Sequence, residues 1–276
     1  MGYRTILVHA DLSAHAASRI ALAARLANAH QAHLIGAAMT GISRFTYPGP
    51  TDLGRTVIGG YVDALYDQAA RALAQFEQVA AASGATSFET RLVADDQLGG
   101  LVQMARFCDL LVLGQTDPAA ANPEPLGDLP ERVMLDAARP VLLAPCGGHP
   151  GPLGGTALIG WDGSRECAHA VTGALPLLHR AARVVVGHFA EEEAEERDVQ
   201  SSELLAWLGR HGLQAELVER DGRRDVGAGL KALAAEIGAT LVVIGGFGHP
   251  RFRELLLGGV TKSLFRSTTV PLLVAH

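Results

Sequence analysis

Short apolar runs alternate with longer segments of helical period along the whole chain. In the first half the pattern predicts a strand from Arg4, strands at His33–Met39 and Phe88–Val93, and helices at Tyr61–Ser83 and Gln97–Phe107. In the second half it predicts strands at Arg183–His188 and Ala215–Glu219, and helices at Glu195–His211 and Asp225–Ile237. This alternation is typical of βαβ units on a parallel sheet.

The two halves repeat one another. The segment from Arg4, RTILVHADLS, matches GTALIGWDGS from Gly155, and each is a short strand followed by an Asp-x-Ser turn and an Ala/Leu-rich helix. The closing strands match as well, and the Gly- and Pro-rich stretch Gly147–Gly155 separates the copies. We therefore predict two tandem doubly wound α/β domains, residues 1–146 and 155–276, each with a five-stranded parallel sheet and right-handed crossovers.

One segment of the first half has no counterpart in the second. After the second strand, Thr40–Gly60 inserts a loop containing Gly, Pro and aromatic residues, where the second half has only an acidic run. Long loops of this kind are often functional. A lid or a contact surface for a protein partner is the hypothesis for this loop.

Composition narrows the function classes. The chain has 276 residues, is 48% hydrophobic and has a formal net charge of −6. The broad basic face that nucleic acid needs is missing from the sequence, and with Lys231 and Lys262 as its only lysines the chain offers no polybasic membrane patch. Three cysteines without a CxxC pair fit a reducing compartment, and the first apolar run is too short for a signal peptide. We expect a cytoplasmic protein that binds neither nucleic acid nor membrane.

Familiar catalytic and metal-binding patterns are missing from the sequence. His30 with His33, and Cys146 with His149, have spacings found in metal sites, but neither pair has further ligands at a recognisable spacing. Neither a GxSxG elbow nor a GxxxxGK[ST] loop occurs. We predict no catalytic residue and no metal site; Cys108 and Cys167 are expected in the core.

The candidate chemistry lies at the carboxyl ends of the second-half strands, where open parallel sheets bind ligands. Asp162 follows the first of these strands, and His188 and Phe189 follow the second. After Ile244 comes a glycine loop: Gly245, two residues, Gly248, nine residues, and then Gly258–Thr261 at the start of the last helix. Free N–H groups at a helix start favour an anionic phosphate.

With this spacing, the repeat and the closing Pro-apolar strand, the sequence resembles the universal stress protein family in its tandem form, over essentially the whole chain. The resemblance implies a Rossmann-like fold of the adenine nucleotide alpha hydrolase type, with final strands that pair two domains, and binding of ATP or AMP. Asp162 would hydrogen-bond the adenosine and Phe189 would flank the base. The remaining site residues would contact the ribose and phosphates; they are Ile244, Gly245, Gly248, Gly258, Gly259, Val260 and Thr261. The usual Ser or Thr after the third glycine is Gly259 here, and Phe247 stands where His is common.

The first half keeps the spacing of this loop but not its chemistry. Asp117 and Asp128 place carboxylates where the second half has Gly248 and a neutral residue, and Pro130 replaces Thr261 and lacks an N–H. Carboxylates repel phosphates at close range. We predict a non-binding first domain, in which Asp11 acts with Ser13 as a helix cap or turn residue.

Three functions are compatible with the sequence. The first is a non-enzymatic adenine-nucleotide-binding stress protein that signals to an unknown protein partner, with magnesium as a candidate companion ion. The second is a slow ATP hydrolase, although no general base is evident among Asp162, Gly246 and Phe247. The third is an interaction module whose nucleotide site has lapsed. The two domains are expected to pair within the chain, and a homodimer is a further candidate.

Overall fold

The structure is a computed structural model that describes most of the chain. It covers residues 2–43, 55–117, 128–148, 151, 153–190, 195–221, 225–246 and 264–276. The chain divides into two compact units. The N-unit comprises residues 2–114 and 136–139, and the C-unit comprises residues 115–135 and 140–276.

The N-unit alternates strands and helices in the predicted order. Its elements are β1 (Thr5–His9), α1 (Ala16–His30), β2 (His33–Met39), α2 (Arg55–Ala82), β3 (Phe88–Val93), α3 (Gln97–Ala105) and β4 (Leu110–Gly114). The strands lie in the order β3-β2-β1-β4, with β1 parallel to both β2 and β4. Strands β2 and β3 lie on one side of β1, and β4 lies on its other side. The strand order therefore reverses between β1 and β4.

The C-unit contains the whole second repeat together with the last helix and strand of the first. Its elements are α4 (Leu129–Asp136, all but the last residue), β5 (Val141–Ala144), β6 (Thr156–Trp161), α5 (Arg165–Leu178), β7 (Arg183–Ala190), α6 (Glu195–Arg210), β8 (Ala215–Asp221), α7 (Val226–Glu236), β9 (Ala239–Gly245) and β10 (Leu272–Ala275). The strand order is β5-β10-β9-β6-β7-β8. Here the order reverses between β6 and β9.

The two closing strands pair with each other. β10 runs parallel to β9 but antiparallel to β5, with Leu272 opposite Leu143 and Val274 opposite Val141. All residues of β5 and β10 are buried. The expected α/β fold of alternating strands and helices is confirmed, with parallel pairs everywhere among the described ladders except between β5 and β10. That pair is the pairing of final strands that the family resemblance implied.

Helices cover both faces of the C-unit sheet. A Cβ added at Gly160 or Gly187 would meet leucines of α7, so those glycines mark the face that α7 covers. Their neighbours Trp161 and His188 are register partners and point to the opposite face. Among the described helices, none has the length and apolarity needed to cross a membrane.

Several element boundaries differ from the sequence prediction by one or two residues, and the start of α2 differs by six. Helix α2 begins at Arg55 rather than Tyr61, so the last six residues of the predicted Thr40–Gly60 loop are helical. Residues 44–54 of that loop lie outside the described part of the chain. Once a helix is nucleated, each added residue gains a backbone hydrogen bond, which outweighs the weak helix propensity of Gly59 and Gly60. Strand β7 continues to Ala190 because β8 offers ladder partners as far as Asp221.

Leu273 tests the pairing of the closing strands. It is fully buried and lies opposite both Leu142 and Val243. Replacing it with alanine removes apolar contacts on both sides and leaves a cavity, so Leu273→Ala should lower the free energy of unfolding by about 2–5 kcal/mol. The midpoint of urea unfolding measures the change. Leu92→Ala, at a leucine that is 43% exposed, is the control and should have a much smaller effect.

Candidate functional site

The turn between β6 and α5 holds Asp162 at the carboxyl end of its strand. The carboxylate Oδ1 accepts hydrogen bonds from the backbone N (2.9 Å) and the hydroxyl (2.6 Å) of Ser164. Ser164 in turn caps α5 by accepting from the backbone N of Cys167 at 3.1 Å. Asp162 is exposed, and no cationic side chain pairs with it among the described residues. The turn therefore fixes a solvent-facing carboxylate.

Gly245 lets α5 approach the end of β9 closely. A Cβ at this position would lie 2.5 Å from the backbone N of Cys167, a separation that real Cβ atoms do not adopt. The strand order reverses between β6 and β9, so this contact borders the crevice in which open α/β sheets bind ligands. Gly245 and Asp162 thus lie on adjacent strands at one edge of the sheet.

The thiol of Cys167 belongs to the core beneath this turn. Its Sγ donates to the carbonyl of Gly160 at 3.2 Å and the residue is fully buried. Burial, followed by the nearby charge of Asp162, raises the pKa of the thiol to about 12. A thiol in this state is a poor nucleophile. Cys108 is also buried, so both cysteines are core residues as predicted.

The side chain of His188 supports the end of β6. Its Nδ1 lies 3.2 Å from the carbonyl of Trp161, so in the neutral ring Nδ1 carries the hydrogen and donates it. Its Nε2 is then an acceptor; it is buried and has no hydrogen-bond partner within the described ranges. The indole N–H of Trp161 is also buried there without a described partner. Within the described ranges, only one of the two ring nitrogens of His188 therefore has a hydrogen-bond partner.

Phe189 and Ile244 occupy different settings. The half-buried ring of Phe189 packs over α7, because a Cβ at Gly229 would lie 2.6 Å from its Cε1. Since Trp161 and His188 are register partners, Asp162 and Phe189 extend equally far beyond them at the sheet edge. Ile244 is 4% exposed, so its side chain is part of the core. Only its backbone could face a ligand.

The glycine loop itself lies beyond the described residues. Phe247, Gly248, Gly258, Gly259, Val260 and Thr261 all fall in the segment 247–263 that the structure does not describe. The structure does describe Gly246, the residue directly before this segment. The N–H of Gly246 donates to the carbonyl of Ala275 at 2.9 Å, and Nδ1 of His276 donates to the carbonyl of Gly246 at 2.9 Å. These bonds fix where the loop leaves the sheet.

In the first repeat the corresponding turn has a different electrostatic setting. Asp11 again accepts from the backbone N (2.9 Å) and hydroxyl (2.5 Å) of Ser13. Its other oxygen pairs with the guanidinium of Arg19 at 2.8 Å, and Arg19 also donates from Nε to the carbonyl of His9 at 3.0 Å. Asp11 is therefore a turn residue and one half of an ion pair. The alternative that it caps the helix is wrong, because α1 begins only at Ala16 and has no side-chain cap.

Burial and charge shift the pKa values of this cluster. Burial, more than any charge, lowers the pKa of His9 to about 4; Asp11 opposes this shift and Arg19 adds to it. Burial alone would raise the pKa of Asp11, but Arg19, His9 and Ser13 together hold it below its ordinary range. At neutral pH the cluster thus consists of a neutral imidazole and a charged Asp–Arg pair.

Sequence reasoning missed Arg19. Its position falls in the inward-facing stripe of α1, among the buried residues Ala16, Ile20, Ala23, Ala24 and Ala27. A charged residue at a core position of an otherwise apolar stripe is the signal that could have identified it.

The prediction of a non-binding first domain used Asp128 and Pro130. Both residues lie at the start of α4, whereas the preceding Gly127 lies outside the described ranges.

Comparison with known proteins supports the architecture. Residues 155–276 match the family model of the universal stress protein family. A universal stress protein from Archaeoglobus fulgidus DSM 4304 is similar in structure, with a TM-score of 0.75 and 19% identity over 98% of this chain and 95% of its own. No curated protein matches the sequence.

Two further solved structures are similar over different shares of the chain. A putative universal stress protein from Pseudomonas aeruginosa UCBPP-PA14 has a TM-score of 0.58 and 16% identity, covering 99% of this chain and 93% of its own. A universal stress protein solved in complex with cAMP covers 52% of this chain and 97% of its own, with 26% identity and a TM-score of 0.37. The two matches that span the whole chain show that both repeats share their fold with solved universal stress proteins.

The buried imidazole of His9 predicts a pH dependence of stability. Its folded pKa of about 4 lies below the ordinary value, so between the two values the unfolded chain takes up a proton that the folded protein does not. Stability should therefore decrease as the pH falls from about 6.5 to about 4, by up to about 3 kcal/mol for this group. Urea midpoints of the wild type at pH 7, 5.5 and 4.5 measure this decrease.

The variant His9→Gln lacks the titrating group, so its decrease over the same pH range should be smaller by that amount. His211→Gln, at an exposed histidine, is the matched control and should follow the wild type. Parallel pH profiles for wild type and His9→Gln would contradict the assignment.

Proposed function

Since the chain carries a universal stress protein domain over residues 155–276, we propose that this domain binds an adenine nucleotide, ATP or AMP, in a non-enzymatic stress-response or regulatory role. The observation that carries the proposal is the state of Asp162. Its carboxylate is exposed, lacks a cationic partner among the described residues and borders the crevice between β6 and β9. Such a group is available to accept hydrogen bonds from a ligand.

Charge determines which end of the nucleotide faces Asp162. A carboxylate repels phosphates but accepts hydrogen bonds from ribose hydroxyls or from the amino group of adenine. The adenosine part therefore lies against Asp162, with Phe189 at the same level of the sheet edge. The phosphates then extend toward the glycine loop that leaves the sheet at Gly246.

Magnesium, if it accompanies ATP, would be bound by the phosphate groups and not by Asp162. Phosphate oxygens are hard ligands, and Mg²⁺ usually binds to them together with one or two carboxylates and several waters. In the proposed orientation, Asp162 faces the adenosine, so the phosphates would bring the ion with them. Binding measured with and without Mg²⁺ separates the two cases for ATP.

Asp162→Asn tests the site. The amide keeps the size of the side chain but loses its charge and half of its acceptor capacity, so ATP and AMP should bind at least about tenfold more weakly. Equilibrium dialysis with labelled ATP, AMP and cAMP measures the affinities. Asp225→Asn is the matched control: Asp225 also accepts from a backbone N, that of Ala228, but at the start of α7, and its replacement should leave binding unchanged.

Trp161 offers a second, optical measurement. It directly precedes Asp162, whereas the other tryptophan, Trp207, stacks on His211 with ring centroids 4.2 Å apart. In a Trp207→Phe background, the fluorescence of Trp161 should respond to saturating nucleotide. Unchanged fluorescence together with undetectable dialysis binding at millimolar nucleotide would contradict the proposal.

Turnover distinguishes binding from hydrolysis. A water molecule attacking a phosphate needs a base or a positioning group, and Asp162 faces the adenosine instead in the proposed orientation. Wild-type protein incubated with ATP should therefore release no more than one ADP per chain over hours. Steady release over many turnovers, abolished by Asp162→Ala, would establish the slow hydrolase instead.

An interaction module is the second candidate function, and one observation favours it. Tyr61 and Tyr66 near the start of α2 are 66% and 39% exposed, next to the inserted loop. Exposed tyrosines are common at protein interfaces. Under this alternative, no nucleotide raises the melting temperature of the protein, while Tyr61→Ala weakens binding to a partner protein.

A further inference from the structure

Arg19 occupies the place in the N-unit where the strand order reverses. It is 3% exposed and extends from α1 toward the carboxyl ends of β1 and β4. Its Nε donates to the carbonyl of His9 at 3.0 Å and its Nη2 pairs with Asp11 at 2.8 Å. Its Nη1 lies against Gly114, where an added Cβ would collide with it. The guanidinium thus fills the crevice between the two strands.

The second repeat has no such group. Alignment of the repeats from Arg4 and Gly155 places Ala170 at the position of Arg19 and Asp162 at Asp11, and the matching ends of β4 and β9 place Gly245 at Gly114. Ala170 is fully buried, and it is the backbone of α5, at Cys167, that approaches Gly245. The carboxylate of Asp162 consequently remains exposed. The same turn thus presents a free carboxylate in one repeat and a neutralised one in the other.

We propose that the crevice of the first repeat is a guanidinium site that Arg19 occupies from within the chain, closing this crevice to nucleotide. The three nitrogens of one planar group have three different neighbours: Nη2 a carboxylate oxygen, Nε a backbone carbonyl and Nη1 a glycine without a side chain. A guanidinium can make these contacts together, whereas a compact ammonium cannot. Because Arg19 already pairs with Asp11, the carboxylate is held by a cation from within the chain and is not presented to an adenosine. The chain therefore binds one nucleotide, a consequence that rests on the proposed function of the second repeat.

Chemical rescue tests the guanidinium site without any nucleotide. Arg19→Ala should melt several degrees below the wild type, and low-millimolar ethylguanidinium should restore part of the loss. Ethylammonium at the same concentration should not. Arg183→Ala is the matched control, because Arg183 also forms an arginine–carboxylate pair, with Glu216, but on the surface. Its melting temperature should not respond to ethylguanidinium.

Equal responses to both cations, or no response, would overturn the guanidinium site. If Arg19→Ala does not fold by itself, its refolding yield with and without ethylguanidinium gives the same comparison: a yield that rises selectively supports the site, and an unchanged yield contradicts it.

Stoichiometry tests the closure to nucleotide. Dialysis with labelled ATP should give one nucleotide per wild-type chain, and Asp11→Asn should leave both the number and the affinity unchanged. Two nucleotides per chain, or loss of one on Asp11→Asn, would overturn the closure. No nucleotide on any variant would instead contradict the proposed function, while the rescue comparison would still decide the guanidinium site.

Discussion

Burial of the strands β4, β5 and β10 constrains where this protein can present chemistry. β5 and β10 are buried at each residue, and four of the five residues of β4 are buried as well. Side chains along such strands pack against helices and are not available to a ligand. Along these strands, polar groups can reach a ligand only at the first residues beyond the strand end. Asp11 and Asp162 both stand at such positions.

The two aspartates show how one local motif acquires two electrostatic states. Each holds its turn through the same pair of hydrogen bonds to a serine two residues later. A buried arginine neutralises one of them, and alanine at the equivalent position leaves the other exposed. A carboxylate that already has a charged partner gains little from a ligand hydroxyl, whereas an unpartnered one gains a full charge-assisted hydrogen bond. This electrostatic difference between the repeats arises from one residue on a helix, Arg19 in α1 and Ala170 in α5.

Glycine has a positional role at both crevices. At Gly245 the absence of a Cβ admits the backbone of α5, and at Gly114 it admits the guanidinium of Arg19. The same residue type therefore permits an approach by backbone in one repeat and by a side chain in the other. Which group arrives depends on the residue that the first helix of each repeat directs toward the strand.

Much of the fold was predictable because its signals are local. The apolar runs located most strands to within a residue or two. Among the boundaries that differ, those at Arg55 and Ala190 depend on hydrogen bonds to neighbouring turns or strands and not on the propensity of the residues themselves. Of the two roles predicted for Asp11, helix cap or turn residue, the cap failed because α1 begins only at Ala16, whereas the turn with Ser13 is present.

The sequence by itself determined the alternation of strands and helices, the repeat, and the Asp-x-Ser turns at the carboxyl ends of the first strand of each half. Each of these depends on neighbours within a few residues, whose chemistry is readable in order. Only the tertiary structure decided that Arg19 reaches Asp11 and Gly114 and that His188 supports the end of β6. Those contacts join residues from separate elements, and they exist only after helix and sheet have packed together.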